Sequence, residues 1–459
     1  MVSPTTTHSC NVGDATIDIL PDDALLAIFL LYKDSSDLSW WQPLVHVCRR
    51  WRHVIFASPL HLKLVLVCTI RTPARESLGI WPSIRIALHF TPYERRGHNE
   101  NIIAAMERPD RITDIRLENL MSHSFEQLTR MMETPFPALT YLSLKGDGIV
   151  PHPLKDRNDS FLLRDVFLGG SAPSLRTFVL RNIQFPALPK LLLSATQLVT
   201  LRLSWVPTPS RTSLREMVTC LAALSNLKHL DINHFYMFPG PDGSPLPTHV
   251  VLLSLTSFYF RGISDHLEDL VAQIDAPMLQ NLSLTLGGII RIPQLLRFIS
   301  RTEKIKLPIR AVFVFERRGL LLKFLPSDRF EFSSTFNWFS DQFIAMALLC
   351  SSLSPLLSHV ERLDFYCGPL STSAREFVDP GRWLDIFRPF IAVQSLCVPK
   401  KMWLQVGPAL RALAEESATE VFPGLRTLFL EEPFEEAKKS IESLISARRL
   451  TVQPYSPVP

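Results

Sequence analysis

One spacing recurs along most of this chain and constrains its fold more than any other feature. It is an apolar residue, two residues, an apolar residue, one residue, an apolar residue. It appears as Ile112-Ile115-Leu117, Leu139-Leu142-Leu144, Leu175-Phe178-Leu180, Leu198-Leu201-Leu203, Leu227-Leu230-Ile232, Leu255-Phe258-Phe260 and Leu279-Leu282-Leu284. Weaker copies are Val360-Leu363-Phe365, Val393-Leu396-Val398 and Leu425-Leu428-Leu430. Five early copies add a further apolar residue three positions on: Leu120, Ile183, Val206, Phe235 and Ile263. Successive starts from 112 to 279 lie 23 to 36 residues apart. Alternate apolar residues make each copy a short strand with one inward face. No copy can cover its own apolar edge, so neighbours must stack.

Several copies share a lead-in: Phe136-Pro137-Ala138-Leu139, Ala172-Pro173-Ser174-Leu175, Ala276-Pro277-Met278-Leu279 and Phe422-Pro423-Gly424-Leu425. Proline there ends the preceding helix and delivers the chain to the next strand. The recurrent pattern resembles the degenerate leucine-rich repeats that follow F-boxes in many fungal proteins, although the asparagine usual at the ladder position is mostly absent. Residues 112–451 are read as this repeat domain, irregular over 291–355. There, 309–315 and 320–325 read as the strands of a hairpin around a turn at 316–319, and 330–338 is unusually aromatic, either a distorted repeat or an insertion. Residues 146–159 and 237–249 read as loops.

The N-terminal region carries a second signal. Pro21 suits the first turn of a helix, and Asp22 and Asp23 follow where the helix dipole favours negative charge. Leu25, Ile28, Phe29 and Tyr32 recur at helical spacing. After a polar break at 33–37, one run from Trp41 through Leu44, Val45, Val47, Cys48, Trp51, Val54 and Ile55 supplies a second apolar face, with Arg49, Arg50 and Arg52 solvated between. About forty such residues are too few to bury a core alone. The order Leu20-Pro21, Leu25-Leu26, Ile28-Phe29, then Val47-Cys48-Arg49-Arg50-Trp51 resembles the F-box, the helical module that docks substrate receptors onto the Skp-type adaptor of an SCF ubiquitin ligase. Ala24, the long polar break and Leu60-His61 depart from the family pattern.

The expected fold class is therefore α/β: a three-helix F-box over 17–60, a connecting segment over 61–111, and a leucine-rich-repeat-like solenoid of short parallel strands and helices. Two alternating runs in the connecting segment, Leu62-Leu64-Leu66 and Ile84-Ile86-Leu88, are expected to begin the sheet. Residues 1–16 are expected to be disordered and 452–459, with three prolines, to form a flexible tail.

The resemblance implies a substrate receptor. Its adaptor-binding residues would be Leu20, Pro21, Leu25, Ile28, Phe29, Val47, Cys48 and Trp51, with a cullin scaffold reached through the adaptor. The alternative is a non-catalytic scaffold unconnected to ubiquitin. In each strand the residues between and just after the apolar positions point to the open inner face. They run Arg116, Ser143, Val179, Arg202, Asp231, Tyr259 and Ser283, then Glu118, Lys145, Arg181, Ser204, Asn233, Arg261 and Thr285. Arg181, Arg202, Asp231, Tyr259 and Arg261 are the target-binding candidates, for an acidic or phosphorylated segment. Loops or the C-terminal end of the solenoid are the other place for a target.

Other chemistry finds little footing. No HExxH, GxSxG, Walker or dinucleotide glycine motif occurs, so no catalytic residue, metal or cofactor is assigned. The seven cysteines are scattered, with no CxxC, which suits reduced thiols in the cytoplasm or nucleus. A net charge of +4 without a basic run gives no reason to expect nucleic acid. No secretory leader or membrane span is expected, and residues 343–360 read as a buried helix plus turn.

Overall fold

A computed structural model of the protein describes residues 17–33, 38–72, 74–80, 84–90, 100–120, 122–146, 161–206, 212–235, 249–287, 292–302, 305, 308–316, 319–325, 330–334, 339–367, 379–413, 420–431 and 441–455. The segments expected to be disordered at 1–16 and looped at 147–159 and 237–248 lie outside these residues. The chain forms two compact units, Met1–Arg116 and Leu117–Pro459.

The first unit opens with helices α1 (Asp22–Tyr32), α2 (Gln42–Val45) and α3 (Arg49–Ala57). Strand β1 (Val65–Cys68), helix α4 (Ala74–Ile80), strand β2 (Arg85–Phe90) and helix α5 (Glu100–Met106) follow. Strand β3 (Ile112–Leu120) carries the chain across the unit boundary. β1 and β2 pair in parallel, with Val65 opposite Arg85. Leu62, Leu64, Leu66, Ile84, Ile86 and Leu88 are all buried, so both alternating runs have the expected inward face.

The single helical run expected from Trp41 onward is broken in two. Cys48 is extended, with φ −153° and ψ 170°, and its Sγ accepts the Trp51 N–H at 3.4 Å. It therefore caps α3 and does not lie on the apolar helix face that the spacing predicts. Arg52 Nε donates to the Val45 carbonyl at 2.9 Å and closes the break.

The second unit is mixed α/β around one largely parallel sheet. Its strands are β4 (Tyr141–Gly146), β5 (Thr177–Arg181), β6 (Thr200–Ser204), β7 (His229–Asn233), β8 (Val250–Val251), β9 (Ser257–Ile263), β10 (Ile274–Asp275) and β11 (Asn281–Gly287). Then come β12 (Arg310–Glu316), β13 (Gly319–Leu325), β14 (Phe330–Ser334), β15 (Arg362–Cys367), β16 (Ser395–Val398), β17 (Thr427–Glu431) and β18 (Thr451–Tyr455). The order within this unit is β4-β5-β6-β7-β9-β11-β14-β13-β12-β15-β16-β17-β18, with β8 and β10 forming a separate two-stranded ladder.

Each repeat closes in the same way. The lead-in leucine donates its N–H to the carbonyl three residues earlier, as in Leu139 to Phe136, Leu175 to Ala172, Leu227 to Leu224 and Leu425 to Phe422. The carbonyl just after that leucine then accepts two N–H groups from the next strand's entry. Thr140 takes Arg176 and Thr177, Arg176 takes Val199 and Thr200, and Val199 takes Lys228 and His229. A carbonyl has two lone pairs, so this spine satisfies every entry amide it touches. The inward residues Leu142, Leu144, Phe178, Leu180, Leu201, Leu203, Leu230 and Ile232 are fully buried. Helices lie between the strands, the first being α6 (Ser122–Met131), and they stack on one another, α7 (Leu188–Ser194) on α8 (Leu214–Ala223), and α8 on α9 (Ser264–Val271). The core lies between this layer and the sheet. Of the fourth apolar positions, Ile183, Val206 and Phe235 are buried, but Ile263 is exposed because it sits at the N-cap of α9.

Two further departures from the sequence reading concern topology. The irregular 291–355 region inserts a three-stranded antiparallel meander, so the sheet is not purely parallel. β13 runs antiparallel to both β12 and β14, while β14 is parallel to β11 and β12 to β15. The spine survives, because Ile309 accepts from Glu361 and Arg362. The tail over 452–455 is not loose: β18 pairs in parallel with β17, Thr451 opposite Thr427. Its Pro454 is tolerated because β18 is an edge strand. Helix Phe339–Ser352 and the short helix Ser354–Leu357 occupy most of 343–360, but the first is buried on one side only, with Ile344 and Leu348 exposed; no helix among the described residues is long and apolar enough to cross a membrane.

Candidate binding surfaces

Two surfaces merit construction from their residues, one in each unit. In the first, Leu25 and Phe29 point into the helical bundle, and Phe29 meets the Trp51 ring edge-on at 4.9 Å. Phe29 is 1% exposed, so Leu25 and Phe29, expected at an interface, instead hold the helices together. Arg50 donates to the Leu20 carbonyl and pairs with Asp22 at 2.7 Å, which fixes Leu20 and Pro21 against α3. Ile28 is 40% and Val47 59% exposed. Beside them Leu30, Leu31 and Tyr32 are also exposed, Leu31 to 88%. Their helical period was readable, but it did not say which side would lack a cover. Of 21 large apolar side chains exposed among the described residues, eight lie within residues 17–60. That is over a third of them in under an eighth of the described residues, a concentration of apolar side chains in water.

In the second unit, the strand register assembles two rows on the sheet face opposite the buried leucines. One row reads Val179, Arg202, Asp231, Tyr259 and Ser283; the other reads Arg181, Ser204, Asn233, Arg261 and Thr285. All five candidate residues therefore fall on neighbouring strands. Arg181, Arg202, Tyr259 and Arg261 are exposed, and Asp231 is half-buried. Burial pushes the Asp231 carboxyl up from its ordinary range, while the Arg202 charge beside it pulls the other way. Ser143, expected on this open face, is 1% exposed. It is a small side chain between Tyr141 and Lys145 on its strand, and the Lys145 ammonium is tied to Glu118.

The second residue after the apolar triplet is a feature the sequence reading missed. Asn119, Asn182, Trp205 and His234 all occupy it with left-handed φ, at 50°, 54°, 52° and 47°. Asn182, Trp205 and His234 donate their backbone N–H to the neighbouring strand's Ser204, Asn233 and Arg261 carbonyls. Asparagine and, to a lesser degree, histidine tolerate this conformation, whereas the bulky Trp rarely adopts it. The Trp205 and His234 rings stack with centroids 3.8 Å apart and planes at 24°. Burial, then the Arg261 charge, holds the His234 imidazole below its ordinary pKa. The two asparagines were the available signal; the bulky Trp205 and His234 concealed the column.

No metal-sized group of His, Cys, Asp or Glu occurs among the described residues. No family model and no curated protein matches the chain. Among solved structures, the crystal structure of a TLR13–ssRNA13 complex is similar over 74% of this chain and 44% of that one, with 16% identity and a TM-score of 0.27. The chain thus spans less than half the length of that protein.

Proposed function

We propose that this chain is the substrate-recognition subunit of an SCF-type ubiquitin ligase. Its three N-terminal helices act as an F-box that docks on a Skp-type adaptor and, through it, a cullin. Its second unit, read as a leucine-rich-repeat-like domain, binds a protein target. The observation that carries this reading is the exposure of Ile28 and Leu31 on α1 and of Val47 between α2 and α3, in a segment whose residue order resembles the F-box. Buried apolar anchors dominate interface energies, so such a set supports a dedicated partner.

The test is co-purification of a recombinant Skp-type adaptor with the full chain and with Ile28→Glu, Leu31→Glu and Val47→Glu variants. Adaptor should be retained by the wild-type chain and lost from at least one folded variant. Absence of adaptor from the wild type, or equal retention by all, would leave a scaffold whose helices serve another partner.

A further inference from the structure

Most cations on the sheet face of the second unit are already neutralised. Lys145 lies against Glu118, Arg310 and Arg362 both hold Asp364, and Lys323 lies 3.9 Å from Glu331. Arg181, Arg202 and Arg261 differ: among the described residues none forms an ion pair and all three are exposed, but Arg202 has the Asp231 charge beside it, whereas Arg181 and Arg261 have no carboxylate neighbour. They share one register row, with β6 and β7 between their strands. Adjacent strands are about 4.8 Å apart, so three spacings separate the two by roughly 14 Å. Directly beyond the intervening residues Ser204 and Asn233 lies the Trp205–His234 stack.

We infer that this stretch binds an extended acidic peptide segment crossing the strands, with carboxylates four residues apart on Arg181 and Arg261 and an apolar residue midway against Trp205 and His234. An extended chain advances about 3.3 Å per residue, so four residues cover roughly 13 Å. An even separation also puts both carboxylates on one side of the segment. Each arginine can then meet its carboxylate through two parallel hydrogen bonds. A nucleic-acid strand fits less well, since its continuous charge would meet Asp231 in the adjoining row. The inference rests on the receptor reading only in taking this face as the target side.

Random peptides displayed on phage would be selected on the full chain and on the Arg181→Glu/Arg261→Glu variant. Peptides with acidic residues at i and i+4 should dominate on the wild type and be absent from the variant. A synthetic winner, followed by fluorescence anisotropy, should lose tenfold or more in affinity for the variant and much less for Arg181→Lys/Arg261→Lys. If the charge reversal fails to fold by circular dichroism, Arg181→Gln and Arg261→Gln singly give the same comparison. Selection without acidic pairs, affinity unchanged in the variants, or stronger binding of a uridine oligomer would each overturn the inference. Adaptor co-purification is read separately, so its failure with peptide binding intact would remove the ligase reading alone.

Discussion

Trp41 donates its indole N–H to the carbonyl of Val65 at 2.9 Å, joining the helices of the first unit to the edge of its first strand. Trp41 is fully buried and also meets Phe56 edge-on at 6.0 Å. The replacement Trp41→Phe leaves the Val65 carbonyl unpaired and removes ring volume. It should destabilise the chain by about 1–3 kcal/mol, read as a lower urea midpoint.

Stability and docking should separate within α1. Phe29→Ala empties a core position against Trp51 and should cost about 3–5 kcal/mol of stability. Leu31→Glu changes an exposed residue and should shift stability by no more than about 0.5 kcal/mol while removing adaptor binding. Equal thermal shifts for the two variants would contradict this division.

Gly146 lies where no side chain fits. A Cβ there would stand 2.7 Å from the Asn182 carbonyl oxygen and 2.8 Å from the Phe161 ring. The backbone oxygen cannot swing aside as a side chain would. Gly146→Ala should therefore destabilise by about 1–3 kcal/mol, checked by chemical denaturation.

The depressed His234 pKa gives a signed pH effect. The unfolded chain takes up this proton more readily than the folded one, so folding stability is fully present above the ordinary value of 6.5. It is lost as pH falls through the lower folded value. Histidine-to-phenylalanine exchange at 234 keeps a ring for Trp205 and should flatten this part of the stability–pH curve. A curve that keeps its full slope there would assign the titration elsewhere.

The described buried thiols should be poor nucleophiles. Burial pushes Cys68 up to about 11 and Cys220 up to about 12, and raises Cys350 and Cys397 further. These four should resist a thiol reagent at pH 8 until denaturant is added. Incubation with ubiquitin-charged conjugating enzyme should leave no reducible ubiquitin adduct on them.

The strand interiors were legible in sequence because Leu142 and Leu144, or Leu201 and Leu203, must both face one core, and only a strand places alternate residues there. The candidate rows followed once the register aligned Arg202 with Asp231 and Tyr259. What stayed hidden depended on non-local partners. The antiparallel β12–β13 pair was legible from the short turn at 316–319, but the third strand, β14, and its parallel junction with β11 were not. Residues 452–455 read as loose because the tail over 452–459 holds three prolines, yet the β17 edge supplies a ladder. The break at Cys48 arises from one thiol accepting one amide, a bond that helical periodicity cannot register. Which apolar residues of α1 face outward depends on Trp51, brought to Phe29 from another helix.

Pro454 gives the last strand a further property. Thr451 donates inward to Arg426, so by alternation the amides of 452 and 454 face outward. Pro454 has no amide hydrogen, and the exposed rim of β18 thus lacks a donor where an incoming strand would dock. A repeating sheet is in principle open-ended, each unit a template for another. This proline removes one donor from that template, so the β18 rim offers an incoming strand a weaker ladder than a rim with every outward amide present.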